Sequence, residues 1–179
     1  DIGGAAGDAR IFLAAPMVRA GIEDVFADGI AEENRIAWDK REEVVVCSTQ
    51  RKLGALVLSE QPVHDPDPDL VLSEMISGVR ELGLQSLPWT PALRALCARV
   101  ALLRGVFPEE SWPNLADDAL LDSLATWLGP YLSGVTRRAH LARIDLDGAV
   151  RGLLSWELST LLDKQAPTHI NVPSGSRIK

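Results

Sequence analysis

Pro62-Val63-His64-Asp65-Pro66-Asp67-Pro68 separates two hydrophobic periods, and that change decides the fold. Upstream the period is two. Arg35-Ile36-Ala37-Trp38-Asp39 alternates, Lys40-Arg41-Glu42 turns, and Glu43-Val44-Val45-Val46-Cys47-Ser48-Thr49-Gln50 returns with β-branched residues. Leu53-Gly54-Ala55-Leu56-Val57-Leu58-Ser59 supplies a further apolar strand, in which Gly54 predicts a bulge or sharp bend. Downstream the period becomes 3.6. Asp67 serves as N-cap with Pro68 at the first helical position, Leu72, Met75, Ile76 and Val79 form one face, and Gly83 closes the helix.

The same signals recur along the second half. Thr90-Pro91 opens a helix with Leu93, Leu96, Cys97, Val100 and Leu103 as its buried stripe and Gly105 at its end. Asp117 caps a third helix carrying Leu120, Leu121, Leu124, Trp127 and Leu128, which Gly129-Pro130 interrupts. A fourth is predicted from about Asp145 to Lys164, with Val150, Leu153, Leu154, Leu158, Leu161 and Leu162 on its apolar side. No fixed period relates one helical pair to the next, which excludes a solenoid.

Before the sheet, Ile22, Val25, Phe26 and Ile30 fall at helical spacing and predict one inserted amphipathic helix. Arg10-Ile11-Phe12-Leu13-Ala14-Ala15 reads as a short strand closed by Pro16, and Gly3, Gly4 and Gly7 suggest a hairpin loop whose first strand lies upstream of Asp1. At the other end Pro173-Ser174-Gly175-Ser176 turns and Arg177-Ile178-Lys179 begins a strand, so a downstream partner is expected and the chain reads as a fragment. The expected architecture is α+β: a small curled β domain over 1–62 with one inserted helix, a mostly α-helical domain over 63–165, and the start of a truncated β segment over 166–179.

Composition sets outer limits. With 46% hydrophobic and 24% charged residues the chain is ordinary globular material rather than a disordered one. No apolar run approaches the ~18 residues of a membrane span, and Asp1 to Asp8 lack a signal-peptide pattern. Cys47 and Cys97 both sit in apolar patterns and read as reduced core thiols, from which a cytoplasmic location is expected. The net charge of −7 is uneven: residues 1–75 carry 15 Asp/Glu against 7 Lys/Arg, 76–164 are nearly balanced, and 165–179 carry only Arg177 and Lys179. That balance argues against tight, autonomous nucleic-acid binding, which draws on a basic excess.

Several chemistries are excluded by inspection. No lysine follows a glycine, so the phosphate-binding Gly-Lys of a P-loop is missing. His64, His140 and His169 are too dispersed for a short-spaced metal motif, and neither cysteine belongs to a Cys-x-x-Cys. Val172 stands where a nucleophile elbow around Ser174 needs glycine. The carboxylate pairs Asp117-Asp118, Glu109-Glu110 and Glu32-Glu33 lie at helix starts or in polar loops, where capping and solvation account for them.

What remains points to phosphate and base contact, each feature with a plainer reading beside it. Ser174, Ser176 and Arg177 around Gly175, with Lys179, present hydroxyls, backbone N–H groups and cations suited to a phosphate, or form a simple hairpin turn. Arg51-Lys52 before the Leu53 strand suits a phosphate on a barrel surface, or is a charged strand end. Arg137-Arg138 reads as solvated. Among the five tryptophans, Trp127 and Trp156 are expected in the core, whereas Trp38 beside Asp39 is the candidate for base stacking.

These segments together resemble a known family. Arg10-Ile11-x-Leu13-Ala14-Ala15-Pro16, Trp38-Asp39, Leu53-Gly54-Ala55-Leu56-Val57-Leu58-Ser59-Glu60, Gly83-Leu84, Leu87-Pro88-Trp89-Thr90, Trp127-Leu128-Gly129-Pro130-Tyr131-Leu132-x-Gly134, and Ala166-Pro167-Thr168-His169 with Val172-Pro173-Ser174-Gly175-Ser176-Arg177 resemble, in order, the region behind the motor of HrpB-type bacterial ATP-dependent helicases of the DEAH/RHA class. The resemblance implies an OB-like barrel followed by a family-specific helical region. It implies a parent enzyme that hydrolyses ATP and moves along or unwinds RNA, with ATP and Mg²⁺ held in two upstream RecA-like domains. This chain itself would hold no cofactor and no catalytic residue, and would be inactive alone. Its partners would be RNA or another single-stranded nucleic acid and the RecA-like domains, with no membrane, and Arg51 and Lys52 would be the basic positions on the RNA path. A second reading is a protein-interaction module with an acidic helical domain and no nucleic-acid contact.

Overall fold

The computed structural model describes residues 16–171 and 177–178, with the side chains of 170, 171, 177 and 178 excepted. The predicted strand at residues 10–15 and the turn at 172–176 lie outside the described residues. The fold class is α+β: strands gather before residue 63, and helices dominate afterwards.

Helix α1 (Arg19–Val25) leads through a 3₁₀ turn at Ala27–Gly29 into three strands, β1 (Ile30–Asp39), β2 (Val44–Leu53) and β3 (Leu56–Pro62). Ile30, expected on the helix, begins β1 instead. The strands form one sheet in the order β1-β2-β3. β2 and β3 pair antiparallel, from Ser48 opposite Pro62 to Leu53 opposite Leu56. Gly54 occupies the two-residue turn between them, at φ +57°. The expected bend at Gly54 is therefore the hairpin turn. The bulge lies elsewhere: Arg51 faces Ser59 and Lys52 faces Val57, leaving Leu58 as the extra residue.

The chain divides into two compact units. The first comprises the described part of Asp1–Asn34 together with Ser48–Pro62. Its buried side chains are polar: Ser48 and Gln50, 3% and 5% exposed, both donate to Glu60 Oε1, at 2.5 and 3.0 Å. Its large apolar side chains Met17, Val18, Val25, Phe26, Leu56 and Val57 are exposed.

The second unit comprises Arg35–Cys47 and Val63–Lys179 and contains the hydrophobic core. Helix α2 (Pro68–Leu82) starts where the sequence places it, with Asp67 Oδ1 accepting from the Asp69 N–H at 2.9 Å, and ends at Gly83, φ +79°. It buries Met75, Ile76, Gly78 and Val79. Helix α3 (Pro91–Val106) is capped by Thr90, whose Oγ1 accepts from the Leu93 N–H at 3.1 Å. It buries the whole predicted stripe and runs through Gly105 to a C-cap at Phe107. Each buried aliphatic side chain of this kind contributes about 1.5–3 kcal/mol relative to exposure.

Two helix expectations are corrected. Ala116, not Asp117, is the N-cap of α4 (Asp117–Asp122); Asp117 lies in the first turn and pairs with Arg94 at 2.7 Å. A short α5 (Leu124–Trp127) and a 3₁₀ turn at Gly129–Tyr131 follow. Beyond the four-residue α6 (Arg138–Leu141), the single helix expected from Asp145 to Lys164 is two: α7 (Leu146–Arg151) and α8 (Trp156–Gln165). Between them Leu153 N–H and Leu154 N–H donate to carbonyls three residues back, and Ser155 Oγ caps the new helix through the Leu158 N–H at 3.2 Å. Ser155 offers an N-cap inside an unbroken apolar stripe, so periodicity alone passes over the break. Trp156, expected in the core, sits on the first residue of α8 and is 78% exposed. Arg99 closes the other end of α8: its Nε donates to the Ala166 carbonyl at 2.5 Å and its Nη2 to Asp163 at 2.8 Å. The two-residue strands β4 (Ile170–Asn171) and β5 (Arg177–Ile178) pair antiparallel.

Candidate nucleic-acid interface

The basic positions of the first unit are set by alternation on β2. Arg51 and Lys52 are successive, so their side chains leave opposite faces of the strand, and each meets carboxylates there. Arg51 Nη1 lies 3.1 Å from Glu23 Oε1 and its Nε 3.8 Å from Glu32 Oε1, while Lys52 Nζ lies 2.9 Å from Glu33 Oε2. Arg19 also donates to Glu23, at 3.0 Å, and this bond, with Arg51 beside it, holds the Glu23 carboxyl below its usual pKa. A phosphate approaching Arg51 or Lys52 competes with carboxylates already in place.

Trp38 belongs to the second unit. Its ring lies over α2 where Gly78 leaves room, since a Cβ on Gly78 would fall 2.5 Å from Trp38 Cδ2. Its backbone N–H donates to Glu74 Oε2 at 2.9 Å, and the side chain packs half-buried against the core. Arg177 lies in β5 with its backbone opposite Asn171; its side chain, Ser174, Ser176 and Lys179 lie outside the described residues.

Two other indoles are engaged by the helical unit's backbone. Trp127 Nε1 donates to the Leu120 carbonyl and Trp89 Nε1 to the Leu84 carbonyl, each at 2.8 Å, and the Arg94 guanidinium lies 3.7 Å from the Trp89 ring centroid. Burial raises the thiol pKa of both Cys47 and Cys97. Among the described residues no group of three His, Cys, Asp or Glu is placed to hold a metal ion. No helix among them is long and apolar enough to cross a membrane.

The sequence signal that this reading passed over is the stretch from Tyr131 to Ile144, which holds Arg137, Arg138, His140 and Arg143 and no acidic residue. Arg138 pairs with Glu43 at 2.7 Å; Arg137 and Arg143 are exposed and make no ion pair among the described residues.

A three-stranded sheet with a helical unit beyond it defines an α+β region. The family model for the connector region of the ATP-dependent RNA helicase HrpB matches residues 30–63, which are the three strands, and the model for the ATP-dependent helicase C-terminal region matches residues 127–179. The chain belongs to the HrpB helicase family and corresponds to its C-terminal region. It is 33% identical over 176 residues to the ATP-dependent RNA helicase HrpB of Escherichia coli K12, a match that covers 98% of this chain and 22% of that protein. The crystal structure of the E. coli DExH-box NTPase HrpB superposes with a TM-score of 0.62 at 32% identity, covering 98% of this chain and 22% of that one. A second, of the Escherichia coli DEAH/RHA helicase HrpB, gives 0.61 at 33%, covering 83% and 19%. The chain therefore spans about a fifth of the length of the relatives it matches.

Proposed function

We propose that this chain is an accessory region of an ATP-dependent RNA helicase, helping to hold single-stranded nucleic acid and packing on a RecA-like motor that supplies ATP, Mg²⁺ and catalysis. One observation carries the reading: the alignment to an ATP-dependent RNA helicase runs through 98% of the chain at 33% identity. The three strands are part of an OB-like barrel. Packing on a motor is supported by the exposed apolar side chains of the first unit, Met17, Val18, Val25, Phe26, Leu56 and Val57, which are of the kind that interfaces cover. In the tail, Ser174, Ser176, Arg177 and Lys179 serve as further phosphate contacts.

The test is binding of a labelled oligouridylate to the chain by fluorescence anisotropy over a salt series. Affinity that falls linearly with log salt is expected. No affinity at the lowest salt refutes the nucleic-acid part. ATP turnover by the purified chain would contradict the assignment of hydrolysis to the motor.

A second reading has its own support. The carboxylates on Arg51 and Lys52, in a chain of net charge −7, favour a protein-interaction module without nucleic-acid contact. Glu23→Gln with Glu33→Gln separates the two. The double variant binds the oligouridylate more tightly if Arg51 and Lys52 lie on the nucleic-acid path, and no differently if they do not.

A further inference from the structure

Among the described residues, some cations sit on carboxylates and others do not. Arg19, Arg51, Lys52, Arg94, Arg99, Arg138 and Arg151 each lie within 3.1 Å of a carboxylate oxygen. Arg35, Arg80, Arg104, Arg137, Arg143 and Lys164 form no ion pair among the described residues, and of these Arg137 and Arg143 alone share one stretch, 131–144, that lacks Asp and Glu, where both are exposed. A guanidinium without a partner carboxylate gives up only water and counterions when it meets a phosphate, whereas a paired one must first be released.

The two arginines stand on fixed backbone. The segment before α6 bridges to the start of β2: Val45 N–H donates to the Thr136 carbonyl at 2.7 Å, Arg138 N–H to the Glu43 carbonyl at 2.9 Å, and Val44 and Arg137 form a bridge pair. Leu141, fully buried, pins the other side of the turn. Little backbone freedom is left to lose on binding.

A cleft of about 410 Å³ lies on one side of α6, and its walls include Tyr131, Ser133, His140, Arg143 and Asp145. Tyr131 is 36% exposed and offers a ring face, Ser133 a hydroxyl, and His140 an imidazole. Asp145 is the one acid there, and its Oδ1 already accepts the Gly148 N–H at 2.9 Å as the cap of α7. A second cleft on α6 takes in Arg137 with Arg138, Glu42 and Glu43, and there Glu43 is engaged by Arg138.

The geometry points to the segment around α6, with Arg137 at its start, Arg143 just past its end and Tyr131 in the cleft beside Arg143, as a contact site for the sugar-phosphate backbone of a single nucleic-acid strand, with the ring of Tyr131 taking a base. Two unpaired guanidinium groups hold phosphates, and one aromatic face supplies sequence-tolerant stacking. The inference deepens the nucleic-acid reading above and rests on it.

The experiment is oligouridylate binding by the 179-residue chain across a salt series, comparing wild type with Arg137→Gln/Arg143→Gln, Tyr131→Leu and a control of equal charge change, Arg80→Gln/Arg104→Gln. The Arg137/Arg143 pair is expected to weaken binding roughly tenfold and to lower the slope of log affinity against log salt by about 1.4, since each phosphate contact to a single strand contributes ~0.7. Tyr131→Leu is expected to weaken binding several-fold with the slope unchanged. The control should match wild type. Wild-type binding that survives in the Arg137/Arg143 variant overturns this site and leaves the nucleic-acid reading standing. An equal loss in the control overturns it as well, reducing the effect to net charge. No wild-type binding at any salt overturns both.

Discussion

Gly78→Ala isolates the contact that ties β1 to α2. A Cβ at this position would lie 2.5, 2.6 and 2.7 Å from Trp38 Cδ2, Cε3 and Cε2, where ordinary contact starts at 3.4 Å, an overlap of about 0.9 Å. The three atoms belong to one rigid fused ring, so the indole moves as a whole or the helix does. Overpacking of this kind costs 1–3 kcal/mol, and three simultaneous ring contacts put it at about 3. Against that, alanine in place of glycine inside a helix is worth about 1 kcal/mol. The expected net loss is about 2 kcal/mol, or roughly 4–8 °C in Tm for a chain of this size. The decisive assay is a double-mutant cycle in urea, followed by far-UV circular dichroism, which reports chiefly on the helical unit. With Trp38 replaced by Ala the obstruction is gone, and Gly78→Ala should stabilise by about 1 kcal/mol. The reasoning fails if Gly78→Ala has the same sign in both backgrounds with a coupling below about 0.5 kcal/mol.

Further expectations are simpler. Gly105→Ala should stabilise by about 0.5–1 kcal/mol in the same titration, because the position is helical and a Cβ there meets nothing within 4 Å. Arg99→Met should destabilise by roughly 1–2 kcal/mol through the carbonyls it leaves at the end of α8, whereas Arg104→Met, which makes no ion pair among the described residues, should be neutral. The thiols should react with a disulfide reagent slowly in the native chain, Cys97 more slowly than Cys47, and rapidly in urea; equal native rates would contradict the burial that raises both pKa values. Glu23, held low first by Arg19, contributes stability that is complete above its ordinary value of 4.5 and is lost as the pH falls through the lowered one, so Glu23→Gln should flatten the acid limb of a stability–pH profile.

Elements with local signals were readable from sequence, and those decided by long-range contacts were not. Asp67-Pro68 and Gly83 bracket α2 because capping chemistry is confined to a few neighbouring residues. The break between α7 and α8 carried its own signal in Ser155, but the stripe of Val150, Leu153, Leu154 and Leu158 continues across it and conceals the cap. Trp156 shows the matching difficulty: a side chain just past an N-cap lies at the mercy of helix direction, and here it faces solvent. For the candidate site, the basic residues were visible but their carboxylate partners were not. Glu23 and Glu33 are 28 and 19 residues from the cations they meet. Charge counted along the chain therefore could not separate Arg51 from Arg137.

The packing of Trp38 also bears on how this protein is to be cut. Residues 35–47 run in the sheet, yet they carry the indole that covers Gly78, the Glu43 that holds Arg138, and the Val45 that is buried in the helical core. A recombinant piece starting at Val63, the natural choice from composition, would bare the surface of α2 and leave the Thr136 carbonyl without its donor. One starting before Arg35 keeps all three contacts, so the practical border of the helical unit is a point inside β1.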